Sequence, residues 1–186
     1  MRVNRRFSAA TAAPRTFRRT SDYALFVIGL ADRIVEVLGV TARPDEAWIM
    51  QIGRNLVDTE SGALRQKRYL IIDRDGKYTD QFRRLLRESG CKVIRLPPMS
   101  PNLNAYAERF VRSIKDECLN RMIFVGQTSL RRAIAHYVAH YHKERNHQGL
   151  ENRLIRPEPG RVANGRVVRR RPRLGGMLNH YYRAAA

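Results

Sequence analysis

The chain has few of the residues that would tie it to a membrane or to a disulfide framework. It contains 2 cysteines, Cys91 and Cys118, in 186 residues, which excludes a disulfide scaffold and a four-thiolate zinc site. Its longest apolar run, Tyr23 to Ala31, is too short to cross a bilayer and is followed by Asp32-Arg33. The first twenty residues show no apolar stretch typical of a secretory signal. We therefore expect a cytoplasmic protein with no membrane partner.

Acidic residues are also scarce, and they are unevenly distributed. The sequence has 17 Asp+Glu against 36 Lys+Arg, a formal net charge of +19, which indicates a polyanionic partner such as nucleic acid. Residues 1–20 contain six arginines and residues 161–186 contain seven, and neither segment contains an acid. Two interpretations of these ends stay open. They either follow a nucleic-acid backbone or are solvated and disordered.

The pattern along the chain indicates a folded body at residues 21–156, with a basic segment at 1–20 and a basic tail at 157–186. Residues 1–20 show neither strand alternation nor a helical stripe, so we expect them to be disordered or foreign to the folded domain. The body predicts a mixed α/β fold. Its elements are a hairpin at Tyr23–Val40, a helix from Pro44, a strand at Tyr69–Asp73, a helix after Thr79, a strand at Cys91–Leu96, and helices at about 103–122 and from Thr128 or Ser129 onward.

Two carboxylates lie where they could bind a metal ion. Asp73 ends a short apolar strand, and Glu108 lies 35 positions later on a predicted helix. Hard divalent ions such as Mg²⁺ take carboxylate oxygens, and two such ions flanking a phosphodiester can activate the attacking oxygen and stabilise the leaving one. Lys115 shares the helical face of Glu108 and could contact DNA phosphates. The alternatives are an ion pair of Glu108 with Arg112 and a turn-forming role for Asp73.

The segments around these acids resemble a known family. Residues 69–83 (YLIIDRDGKYTDQFR), 94–125 and 130–150 (LRRAIAHYVAHYHKERNHQGL) resemble the integrase core of bacterial insertion-sequence transposases. The resemblance implies a ribonuclease H-like mixed sheet flanked by helices, with residues 21–156 as the catalytic core. It also implies an Asp-Asp-Glu triad that binds Mg²⁺ or Mn²⁺, in which Asp73 matches the second acid and Glu108 the third. Lys115 matches the basic position, Arg112 is assigned to DNA, and Asn102 and Asn104 lie in the loop before the glutamate.

The sequence departs from this family at its start. The first catalytic Asp of such cores lies on a strand before the hairpin, which corresponds here to about residues 5–10. This chain reads Arg5-Arg6-Phe7-Ser8-Ala9-Ala10 there and has no acid before Asp22. The first strand is therefore expected to be lacking or replaced, as in a truncated or frameshifted copy.

The resemblance predicts metal-dependent cleavage and transfer of DNA strands, with transposon ends and target DNA as partners and a homo-oligomer on DNA. In an intact relative, metal-bound water nicks the strand and the freed 3′ hydroxyl attacks the target. The missing acid predicts that this chain is weakly active or inactive. The alternative is a catalytically inactive DNA-binding remnant, and a ribonuclease of the same fold is a third hypothesis.

The histidines and cysteines are the remaining candidate metal ligands. His136 and His140 have ligand-compatible helical spacing, with His142 and His147 nearby. No cysteine or acid lies at a convincing partner spacing, so structural or DNA-facing roles are favoured over zinc. Both cysteines are predicted to pack as small apolar groups.

Overall fold

The computed structural model describes residues 6–12, 22–65, 67–97, 104–157 and 167–184, and for residues 6–12 it describes the backbone. The chain divides into two compact units, Met1–Ser113 and Ile114–Ala186. No helix within these described ranges is long and apolar enough to cross a membrane.

The first unit is built on a mixed five-stranded sheet in the order β3-β2-β1-β4-β5. Strands β1, β2 and β3 are antiparallel neighbours, whereas β4 runs parallel to both β1 and β5. The strands are β1 (Arg6–Ala12), β2 (Tyr23–Gly29), β3 (Val35–Thr41), β4 (Tyr69–Ile72) and β5 (Lys92–Arg95). Ala24 to Gly29 are all buried, as the continuous apolar run of β2 predicts for a strand covered on both faces.

Helices α1 (Glu46–Val57) and α2 (Asp80–Glu88) pack on this sheet. The carboxylate of Asp45 accepts a hydrogen bond from the Trp48 backbone N–H at 2.8 Å and so begins α1. The Thr79 hydroxyl plays the same part for α2, and Gly90, at φ 85°, follows its end. The core between helices and sheet is apolar: Leu25, Val27, Ile49, Ile52, Leu56, Leu70, Ile72, Phe82 and Leu86.

Helix α3 (Ala105–Glu117) begins in the first unit and ends in the second. The second unit continues with α4 (Gly126–Lys143) and a hairpin of β6 (Val167–Arg173) and β7 (Leu178–Ala184). Apolar residues at helical spacing predict a buried face of α4, and Leu130, Ala133, Ile134, Tyr137 and Tyr141 are buried while Val138 is half-buried. The helix begins at Gly126, two residues before Thr128 and three before Ser129, the two predicted caps, and the Ser129 hydroxyl donates back to the Val125 and Gly126 carbonyls.

The structure describes part of each basic chain end. Residues 6–12 form the central strand β1, which the interpretation of residues 1–20 as disordered did not predict. The remaining residues of 1–20 lie outside the described ranges. Residues 167–184 form a paired hairpin, so the interpretation of the tail as disordered is wrong for this part.

Candidate active site

Asp73 follows the last residue of β4, at the edge of the sheet where the parallel strands end. Its carboxylate is half-buried and accepts a hydrogen bond from the Asp75 backbone N–H at 3.1 Å. Burial raises the pKa of Asp73, and the neighbouring Asp75 charge acts in the same direction, although the Asp75 N–H and Lys77 oppose it. The predicted second acid is therefore a partly desolvated carboxylate in a tight turn.

Asp75, two residues after Asp73, forms an ion pair with Lys77. The Lys77 ammonium lies 2.6 Å from one carboxylate oxygen of Asp75, and the Lys77 backbone N–H donates to the other at 3.0 Å. Burial acts to raise the pKa of Asp75, but these hydrogen bonds and the Lys77 charge outweigh it and lower the pKa. The ammonium also lies 4.9 Å from the centre of the Tyr23 ring. The contact of Lys77 with Asp75 was not predicted. Its only signal in the sequence is that these two residues carry opposite charges on either side of Gly76.

Strand β1 lies directly beside Asp73 but supplies no carboxylate. The parallel pairing of β1 with β4 ends at Ser8 and Ile71, and Ala10 and Asp73 each lie two residues further along the chain. Ala10 is also the partner of Phe26 on β2. All seven residues of β1, RFSAATA, are non-acidic. Strand β1 therefore contributes no acid to this edge of the sheet.

Glu108 lies in the first turn of α3 and is exposed. The helix packs through Ala107 and Phe110, and the Phe110 ring meets the Phe26 ring edge-on at 4.8 Å between centroids. Phe26 lies on β2 and pairs with Ala10 on β1, so α3 packs against β2. Strand β1 lies between β2 and β4 in the sheet. Within the described part of the chain, no hydrogen bond or ion pair involves the Glu108 carboxylate, so the alternative pair with Arg112 is not formed.

The other residues assigned to DNA differ in accessibility. Arg112 is exposed and Lys115 half-buried on α3, whereas Asn104 is buried, 6% exposed, just before the helix. Asn102 lies outside the described residues. Sequence reasoning missed Arg33, whose guanidinium carbon lies 3.2 Å from the centre of the Tyr106 ring on α3. A cation–aromatic contact between residues 73 positions apart leaves no local sequence signal.

The described ranges contain no group of three His, Cys, Asp or Glu side chains arranged to hold a metal ion. The histidines have other partners: His140 Nδ1 lies 3.0 Å from a Glu144 carboxylate oxygen, and His147 Nε2 lies 2.7 Å from the Tyr141 carbonyl. Cys91 and Cys118 are buried, and burial raises the pKa of both thiols, that of Cys118 to about 11. They pack as apolar groups, as predicted.

Comparison with known proteins agrees with this geometry. Residues 89–154 match the family model of the Integrase core domain. No curated protein sequence matches the chain. Among solved structures, the catalytic core domain of BIV integrase is similar with a TM-score of 0.56 at 14% identity, covering 79% of this chain and 89% of that one.

Two further structures show the same likeness. The HTLV-2 integrase catalytic core domain, solved with magnesium in a trimeric form, has a TM-score of 0.61 at 9% identity and covers 82% of this chain and 93% of that one. The simian T-cell lymphotropic virus intasome, in complex with the PP2A regulatory subunit B56 gamma, has a TM-score of 0.59 at 11% identity, over 97% of this chain and 67% of that one. At such identities the likeness establishes the fold.

The sheet order and the structural likeness define a mixed α/β domain with the fold of integrase catalytic cores. The part that matches the family model, residues 89–154, spans β5, the helix with Glu108 and α4. The predicted fold class is confirmed.

Proposed function

We propose that this chain is a transposase-type integrase core that binds transposon ends and target DNA, and that its strand cleavage and transfer are impaired. The observation that carries the proposal is the combination of Asp73 at the end of β4 with an acid-free β1 beside it. The integrase fold supports the first part of the proposal. The composition of β1 supports the second, because none of its residues offers a carboxylate to a metal ion.

The metal ion implied by the resemblance is Mg²⁺ or Mn²⁺, and the HTLV-2 integrase core has been solved with magnesium. The Asp73 and Glu108 carboxylates offer the oxygen ligands that such ions prefer. A pair of ions on one phosphodiester needs more carboxylates than these two, and β1 contributes none. The residues present do not complete the donor set, so we derive no catalytic step through a metal.

The alternative, a catalytically inactive DNA-binding protein, is favoured by the same acid-free strand. Both versions bind DNA through phosphates, because the chain carries a formal net charge of +19. The trimeric form of the HTLV-2 core supports the expectation of a homo-oligomer on DNA. Metal binding separates the two versions, since only an active site requires it.

The test combines DNA binding, metal binding and strand transfer on the full chain. We expect a DNA duplex to bind in the presence of EDTA, and strand transfer with Mg²⁺ or Mn²⁺ to stay near background. Calorimetric titration with Mn²⁺ is expected to give weak binding that Glu108→Gln abolishes, whereas no binding at all would favour the inactive DNA-binding protein. Robust cleavage that Asp73→Asn abolishes would contradict the impairment and keep the integrase assignment. A chain that binds no DNA would contradict the proposal as a whole.

A further inference from the structure

The C-terminal hairpin separates its arginines onto two faces. Side chains alternate along each strand, and β6 and β7 pair so that Arg171 lies opposite His180 and Arg170 opposite Tyr181. We call the face that contacts Glu144 the inner face. It consists of Arg169, Arg171, Arg173, Leu178, His180 and Tyr182. The outer face consists of Val168, Arg170, Pro172, Asn179, Tyr181 and Arg183.

The inner face is held by Glu144, which follows the last residue of α4 and whose side chain is fully buried. Arg173 donates to both Glu144 carboxylate oxygens at 2.8 Å, and Arg171 lies 3.5 Å from one of them. The Glu144 backbone carbonyl lies 3.1 Å from His180 Nδ1, and Leu178 is buried. Through these contacts Arg171 and Arg173 anchor the hairpin to Glu144. A bidentate guanidinium–carboxylate pair fixes the orientation of the two groups in addition to pairing their charges.

The outer face is accessible to solvent, since all six of its residues are exposed. Val168 is 62% and Tyr181 63% exposed. Neither strand contains Asp or Glu. The Arg170 Nε donates to the Asn179 amide oxygen at 2.8 Å, which uses one of the five N–H groups of the guanidinium and orients the others.

We propose that this outer face binds double-stranded DNA, with Arg170 and Arg183 on phosphates and Tyr181 packed between them. The proposal rests on the proposed function, in that it takes DNA to be the substrate, and it names a binding surface outside the candidate active site. A two-stranded antiparallel ribbon is narrow enough for the major groove of a DNA duplex. Two arginines on a face without carboxylates are complementary to phosphate charge.

The experiment measures binding of the full chain to a fluorescent 30-base-pair duplex over a range of salt concentrations. We expect Arg170→Gln/Arg183→Gln to weaken binding at least tenfold and to reduce the slope of log K against log salt by about 1.8, since each phosphate contact contributes about 0.9. The matched control is Arg84→Gln/Arg87→Gln, which removes two exposed arginines from α2 and should change binding less than twofold. Tyr181→Ala should weaken binding about threefold, whereas Tyr181→Phe should not. Circular dichroism of each variant checks folding, because exposed substitutions should leave the melting temperature unchanged.

Equal effects of the outer-face and α2 variants, with wild-type DNA binding intact, would overturn this inference and leave the proposed function standing. Hairpin-dependent binding of single-stranded DNA that matches or exceeds binding of the duplex would overturn the assignment of duplex DNA. Loss of binding to anionic vesicles in the outer-face variant, with duplex binding unchanged, would assign the face to a membrane surface instead. A wild-type chain that binds no duplex would overturn both proposals.

Discussion

The ring of Phe110 meets the ring of Phe26 edge-on, with centroids 4.8 Å apart and planes inclined by 61°. Phe110 lies two residues after Glu108 on α3, and Phe26 pairs with Ala10 on the central strand. Both rings are almost fully buried. This contact therefore joins the helix that carries Glu108 to the sheet whose strand β4 is followed by Asp73.

Truncation of this contact is expected to destabilise the first unit. Phe110→Ala leaves a cavity between helix and sheet and should reduce the free energy of unfolding by about 3–5 kcal/mol, measured by urea denaturation. Arg109→Ala, an exposed neighbour on the same helix, is the control and should change it by no more than about 0.5 kcal/mol. Losses of the same size in both variants would contradict the packing role of Phe110.

Removal of the Glu144 charge is expected to release the hairpin. Glu144→Gln leaves the Arg171 and Arg173 guanidinium groups without their buried counter-ion and should cost about 3–5 kcal/mol. Hydrogen exchange of the amides at residues 167–184 should accelerate. Glu151→Gln is the matched control, because the Glu151–Arg153 pair is exposed on both sides and such pairs contribute about 0–1 kcal/mol. Unchanged exchange in Glu144→Gln would show that other contacts hold the hairpin.

The same carboxylate makes the stability of the second unit depend on pH. Burial acts to raise the pKa of Glu144, but the hydrogen bonds from Arg173 and His140 and their charges outweigh it and lower the pKa from 4.5 to about 2. The side chain also faces Arg171, and its backbone carbonyl faces His180. A depressed pKa stabilises the fold fully above about pH 4.5, and this stabilisation is lost as the pH falls towards 2. At about 1.4 kcal/mol for each factor of ten in the ionisation constant, its size is about 3 kcal/mol.

This pH dependence can be measured directly. We expect the carboxyl resonance of Glu144 to titrate with a midpoint near 2 in an NMR titration, and hydrogen exchange of the hairpin to accelerate between pH 4.5 and 2. A midpoint above 4 would contradict the ion pairs on which the interpretation of the inner face depends.

Local patterns predicted the parts of the fold that local chemistry determines. The run Leu70-Ile71-Ile72 before Asp73 and the α4 stripe from Leu130 to Tyr141 each carry their own periodicity. Strand β1 has no such periodicity, because Ser8, Ala9 and Ala10 have little preference for strands. These residues form a strand by pairing with β2 on one side and β4 on the other.

The hairpin was missed for a related reason. Its strand β6 contains Pro172 and four arginines, a composition typical of a solvated tail. Its inner arginines are held by Glu144, 27 and 29 residues earlier. Contacts at that separation, like the one between Arg33 and Tyr106, leave no periodic signal in the sequence.

Position 10 offers a gain-of-function test of the proposed impairment. Ala10 and Asp73 each lie two residues beyond the last β1–β4 pair, Ser8 and Ile71, and Ala10 also pairs with Phe26 beneath α3. We therefore expect a carboxylate at position 10 to lie near Asp73. It would add the oxygen ligands that the two existing acids lack for divalent ions.

We expect Ala10→Asp to bind Mn²⁺ at least tenfold more tightly than the wild-type chain, measured by calorimetry. Ala10→Asn is the control, because it has the same shape without the charge and should bind no better than wild type. The gain should disappear in Ala10→Asp/Asp73→Asn, since the new site needs both acids. Equal Mn²⁺ affinity in a folded Ala10→Asp variant and in wild type would show that the defect lies beyond the missing carboxylate. Tight Mn²⁺ binding by the wild-type chain itself would show that the site is complete without an acid on β1.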